Sequence, residues 1–253
     1  MSVVVTFASL IVTLPPLTTF YHSVSFGFDY KRFDQQVNLG TGVVSETPIT
    51  YWPLTASYDA TWAPKGSVTT LNAGVTAHLR GTGSDEQEFE NSRFKADGAF
   101  IYLRGELAHT RDLPGKLEGH VKVQGQIADR PLVSSEQYTG GGLGTVRGYL
   151  EAEAVGDSGV FGTVELRSPS LLGWAGKGNE WRIYGFAEGG FLTLREPLPE
   201  QESRFELASV GVGSRLQLWN HLNASVDAGM PLISQRESRT GDFLLTFRVW
   251  ADF

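Results

Sequence analysis

Along most of the chain, apolar residues alternate with small or polar ones at period two. From Phe20 to Lys31, the residues Phe20, His22, Val24, Phe26, Phe28 and Tyr30 share one face. Tyr21, Ser23, Ser25, Gly27, Asp29 and Lys31 share the other. Successive side chains of a pleated strand point to opposite faces, so this pattern predicts a strand with one apolar side. The end of the chain repeats it, with Phe243, Leu245, Phe247, Val249, Ala251 and Phe253 set against Leu244, Thr246, Arg248, Trp250 and Asp252. Helical periodicity is weak throughout. The same reading predicts about eleven strands. They span 3–13, 18–31, 48–62, 66–80, 92–109, 115–128, 157–168, 180–194, 203–218, 221–231 and 241–253. Most exceed the ~5–6 residues of an ordinary strand. They match the ~9–11 of a tilted membrane strand.

Long polar connections (32–47, 81–91, 129–156, 195–202 and 232–240) alternate with short ones (14–17, 64–65, 112–114 and 220). The segment 168–179 is intermediate. Outer-membrane barrels have short periplasmic turns and longer outer loops. The alternation therefore predicts an all-β protein, an antiparallel transmembrane β-barrel whose chain end lies on the periplasmic side. A soluble β-sandwich is the alternative that patterning alone leaves open.

Composition narrows the choice. The 253 residues include 30 Gly, 15 Phe, 8 Tyr and 6 Trp, no Cys, and 19% charged residues, with a net charge of −7. Zero Cys excludes disulfide frameworks, Cys-ligated zinc and thiol catalysis. The acidic balance argues against nucleic acid as a partner. The most apolar run, 3–14, falls short of the ~20 residues of a spanning helix. It also lacks the basic start and cleavage site of a signal peptide. A membrane role must then rest on strands, whose alternation averages out in hydropathy. His22, His78, His109, His120 and His221 fall on different predicted strands with no metal-ligand spacing. No catalytic residue, metal or cofactor is expected. A barrel esterase would need a Ser–His pair within hydrogen-bond reach. Polarity of a lumen accounts for Asp29, Asp59 and Glu106.

The longest connection contains Thr139–Gly144 (TGGGLG), then Thr145, Val146, Arg147, Gly148 and Tyr149. Gly156, Asp157, Ser158 and Gly159 follow, and the next strand reads VFGTVELRSPSL. A Gly-rich outer loop would look similar. A phosphate cradle would not, because Gly142-x-Gly144 lacks the third glycine and no Gly-Lys-Ser/Thr pattern is present. The stretch GGLGTVRGYLEAEAVGDSGVFGTVELRSP resembles the loop and following strand of two-partner secretion transporters. These are TpsB-type outer-membrane proteins, also called haemolysin secretion/activation proteins (ShlB/FhaC/HecB), in the superfamily that holds the BamA-type insertases. The match rests on Val146, Arg147, Gly148 and Tyr149, on Gly156, Asp157 and Gly159, and on the run from Glu165 to Pro169. The stretch from His22 to Lys31 is similar to a mid-barrel strand of the same family.

The resemblance implies a sixteen-stranded barrel with the motif loop between its eleventh and twelfth strands. Five predicted strands follow Gly156 and only six precede it, so residues 1–253 are expected to be a C-terminal barrel fragment. The POTRA domains, the plug helix and the first strands would be absent, and the sheet unclosed. The resemblance further implies that 129–156 folds into the lumen and that Arg147 pairs with an acid on the strand after next. The family's Phe-x-Asp-x-Gly is met there by Phe186, Glu188 and Gly190, with Glu in place of Asp. Alternation puts Glu188 on the face of Arg182 and Tyr184, and in a barrel a charge belongs on the lumen face. Glu188 lining a hydrated wall without a partner is the plainer alternative. Gly144 and Gly148 are expected to supply tight turns. Glu165 and Arg167 share a lumen face, where they either join the loop lock or merely line the channel. Phe247, Val249 and Phe253 resemble the terminal assembly signal of outer-membrane barrels, or form an ordinary edge strand.

The implied function is export of an unfolded exoprotein, haemolysin or adhesin, across the bacterial outer membrane without ATP. Implied partners are that exoprotein, outer-membrane lipid and the barrel assembly machinery. A BamA-type insertase and a passive pore or surface antigen are the competing functions.

Overall fold

The computed structural model describes residues 2–38, 44–174, 176 and 178–252. The strands in chain order are β1 (Ser2–Thr13), β2 (Phe20–Asn38), β3 (Val44–Tyr51), β4 (Leu54–Trp62), β5 (Ser67–His78), β6 (Phe100–Asp112) and β7 (Glu118–Ala128). Then come β8 (Tyr138–Gly140), β9 (Ala154–Gly156), β10 (Ser158–Arg167), β11 (Glu180–Thr193), β12 (Arg204–Leu218), β13 (Leu222–Pro231) and β14 (Leu244–Ala251). One short helix, α1 (Glu86–Ser92), precedes β6.

Eleven strands pair antiparallel in the order β1-β2-β4-β5-β6-β7-β10-β11-β12-β13-β14. β3 pairs with the upper part of β2, and β4 with its lower part. Trp52 and Pro53 separate the two. Proline has no N–H for the ladder, so a single long strand breaks here. The Pro53 carbonyl still accepts a bond from the Asp29 N–H at 3.1 Å. Among the described residues, β1 and β14 end the sheet and do not pair with each other. The sheet is a partial barrel, as the strand count predicts.

Besides the break at Trp52 and Pro53 in the strand expected at 48–62, three segments depart from the sequence reading. Residues 32–47, expected as a polar connection, are largely strand, because β2 runs to Asn38 and β3 starts at Val44. Residues 34–36, 38 and 45–47 are all polar, and that polarity hides the antiparallel pairing in the sequence. The strand expected at 92–109 starts only at Phe100. Ahead of it, Asp85 and Glu88 form a reciprocal capping box that starts α1. Finally, the 129–156 connection contains its own small hairpin, β8 with β9.

The register sorts side chains onto two faces. Asp59, Asn72, Glu106 and Gln124 lie in one cross-strand row on the inner face. The outer face carries Leu103, Leu107, Val121, Val123, Val164, Leu166, Ile183 and Val212, all exposed. β1 is the exception. Its inner positions opposite Lys31, Asp29 and Ser25 are Val5, Phe7 and Ile11, so it is apolar on both faces.

Candidate functional site

The segment 129–156 leaves the end of β7 and turns back onto the inner face. Val146 and Tyr149 are fully buried in a cluster with Tyr138, Phe161, Leu192 and Leu207. The loop is thereby packed against β10, β11 and β12. The Tyr149 hydroxyl lies 2.9 Å from the Ala208 carbonyl and 2.7 Å from that of Ile233, with one proton to share between them.

Arg147 sits at the centre of the site. Its Nε and Nη2 donate to Glu188 Oε1 at 3.0 and 2.6 Å, and its backbone N–H donates to Glu188 Oε2 at 2.6 Å. Nη2 also donates to Glu165 at 2.7 Å, and Nη1 to Asp227 at 2.8 Å. One planar guanidinium thus meets three carboxylates from β10, β11 and β13. Its five donors in a fixed fork suit this, where a lysine point charge would not. The guanidinium also lies 3.7 Å from the Phe186 ring centre and 5.8 Å from that of Tyr184. The charge is therefore met by carboxylates at its edge and by the π density of Phe186 against its plane.

The neighbouring residues hold this arrangement. The Tyr184 hydroxyl donates to Asp227 at 2.8 Å and Thr163 donates to Glu188 at 3.2 Å. Arg167 donates twice to Glu165 Oε2, at 2.9 and 2.7 Å, and to Glu118 at 2.6 Å. Glu165 and Arg167 therefore form part of the network rather than merely lining the wall. Gly211 and Gly213 lie under the rings of Phe186 and Tyr184, where an added Cβ would overlap both. The glycines of β12 let the rings lie flat across the strand.

Gly148 has φ +93°, a conformation that L side chains rarely adopt, and packs against the backbone of Gly229. Gly144 lies in the expected turn, closed by the Thr145 N–H on the Gly142 carbonyl at 3.4 Å, but the turn does not require a glycine there. Its φ is not positive and an added Cβ would meet nothing. Its carbonyl instead accepts bonds from Lys122 at 3.0 Å and Gln124 at 2.6 Å. The left-handed turns fall on Gly141 and Gly142.

Asp157 is fully buried at the foot of the loop. It accepts bonds from the Leu132 N–H at 2.9 Å, Gln137 at 3.2 Å and the Arg195 N–H at 2.7 Å, and Arg93 lies 3.7 Å away. It ties both limbs of the loop to the β11–β12 connection. Gly156, Gly159 and Gly190 permit the close backbone approach there, since a Cβ on any of them would strike Leu192 or Phe161. Phe247 and Val249 point outward and are exposed. Phe253 lies outside the described residues.

Sequence reasoning missed Asp227. The only signal was its place on the polar side of β13 with Asn223 and Ser225, which does not single out a partner. It also missed Glu136. Among the described residues no group of His, Asp or Glu side chains could hold a metal.

The family model of haemolysin secretion/activation protein ShlB/FhaC/HecB matches residues 21–216. The heme/hemopexin transporter protein HuxB of Haemophilus influenzae is 30% identical over 116 residues, covering 45% of this chain and 20% of that protein. CdiB from Escherichia coli superposes with a TM-score of 0.76 at 17% identity, over 98% of this chain and 45% of that one. CdiB from Acinetobacter baumannii gives 0.65 at 17%, over 97% and 41%. BamA from Haemophilus ducreyi lacking POTRA domains 1–3 gives 0.71 at 11%, over 98% and 54%. The chain thus spans about a fifth of the curated relative and about half of the solved ones. The open antiparallel sheet, its two-faced register and the family match over 21–216 converge. The chain belongs to the haemolysin secretion/activation protein family ShlB/FhaC/HecB, outer-membrane β-barrel proteins of Gram-negative bacteria.

Proposed function

We propose that the chain acts as the C-terminal part of a transporter barrel that passes a secreted exoprotein across the outer membrane. The cargo, of haemolysin or adhesin type, travels unfolded through the lumen, and no ATP is consumed. The observation that carries this reading is Arg147 held by Glu165, Glu188 and Asp227 on the inner face. A loop pinned inside a conduit both narrows it and can be displaced. Residues 129–156 are the lumen-inserted element, and Phe247, Val249 and Phe253 serve assembly of the barrel by the cellular machinery. The exposed outer face contacts lipid.

The family match over 21–216 supports secretion over insertion. The likeness to BamA at 11% identity supports the fold alone. The test is to produce the protein with and without a co-encoded large exoprotein. The exoprotein is expected in the medium only when the transporter is present. Its appearance there without the transporter overturns the proposal.

A further inference from the structure

The Arg147 site holds only the tip of the loop. Eleven residues earlier, Glu136 is buried against a different part of the wall, with 1% of its surface exposed. Its Oε1 accepts bonds from Lys31 Nζ and the Tyr51 hydroxyl, each at 2.6 Å, and its Oε2 from the Tyr102 hydroxyl at 2.9 Å. The donors come from β2, β3 and β6, none of which touches Arg147. Gln126 on β7 donates to the Glu136 carbonyl at 3.1 Å, and to that of Asp157 at 3.0 Å. Leu132 and Val133 complete the contact, packed among Ile49, Tyr51, Phe89, Phe100 and Tyr102.

A carboxylate with three donors and almost no water is a strong and specific anchor. Its position has a consequence. The segment between Glu136 and Arg147 is fixed at one end to β2, β3 and β6, and at the other to β10, β11 and β13. It is a bar between two regions of the wall.

We propose that Glu136 is a positioning residue, a second latch that must open together with Arg147 before the lumen widens. Lys31, Tyr51 and Tyr102 form its keeper. The inference rests on the conduit reading above and adds a regulatory element to it. Release of either latch alone frees one end of the bar, so each contributes separately to the closed state.

The test is single-channel recording of the full-length protein in planar lipid bilayers. Glu136→Gln removes the charge and keeps the shape. Lys31→Met leaves both tyrosine donors in place and serves should the first variant fail to assemble. Each is expected to raise the open probability about tenfold or more, the factor carried by one lost hydrogen bond to a charge. The barrel should keep its heat-dependent mobility shift on gels. The charge swap Lys31→Glu with Glu136→Lys should return the open probability towards that of the unaltered protein, which a merely structural role would not do. An assembled Glu136→Gln channel with unaltered open probability overturns the latch, as does a swap no more closed than either single change. An unaltered protein that never conducts overturns the conduit reading itself, so the two failures are distinct.

Discussion

At the scale of single residues, the site is one cation among acids that strongly require it. Arg147, Glu165, Glu188 and Asp227 are all buried. Removing the guanidinium leaves three carboxylates facing one another, with Arg167 held on the far oxygen of Glu165. Breaking a buried pair from one side costs about 3–5 kcal/mol. Arg147→Ala should therefore lower the thermal unfolding midpoint, read by loss of the gel mobility shift on heating. Arg147→Lys should lower it nearly as much, since one ammonium cannot serve three carboxylates in a plane. The partner at Glu188 was legible because the motif and alternation both point to that strand. Asp227 was not, because a third ligand contributed by a strand 80 residues away leaves no local pattern.

At the scale of elements, β12 is shaped by what it must not carry. Gly211 and Gly213 sit beneath Phe186 and Tyr184. Gly211→Ala should push Phe186 off the guanidinium and cost about 1–3 kcal/mol, the usual range for overpacking. The unfolding midpoint checks this against Gly185→Ala, where an added Cβ meets only one carbonyl at 4.0 Å. The motif loop is also tied to the β13–β14 connection through Glu153. Burial pushes this carboxyl up, but the Glu237 N–H, the Ser238 hydroxyl and the Ser238 N–H outweigh it and hold it below its ordinary 4.5. A lowered folded value means the contact is at full strength above 4.5 and is lost as pH falls through the lower value. Hydrogen exchange at Glu237 and Ser238 should stay slow at neutral pH and accelerate only in acid. Rates independent of pH, after correction for intrinsic exchange, would refute the tie.

The same scale shows where patterning succeeds. Strands within the hydrocarbon layer alternate because one side meets lipid, and β5, β7 and β10 to β14 lie close to their predicted spans. Outside that layer the constraint lapses. The ribbon of β2 and β3 looked like a loop because residues 34–36, 38 and 45–47 are all polar. α1 was announced only by Asp85 and Glu88, a local capping signal inside a segment too short for helical period.

At the scale of the whole molecule, the sheet is an open wall with a lipid side and a lumen side. Val212 lies on the outer face, 61% exposed. Val212→Arg should cost about 2–4 kcal/mol near mid-membrane and reduce assembled barrel in outer-membrane fractions. Unchanged assembly would reverse the assignment of faces. The edges of β1 and β14 expose backbone donors and acceptors that a bilayer cannot satisfy, so each needs a strand beside it in the membrane.

On the proposed function, Arg147 governs passage of the exoprotein and not merely assembly of the barrel. The most direct test is secretion of the partner exoprotein by cells carrying Arg147→Ala, normalised to the amount of heat-shifting barrel in the outer membrane. Secretion per assembled barrel is expected to fall at least about tenfold, the factor of about 1.4 kcal/mol. Secretion per barrel equal to that of the unaltered protein would contradict it.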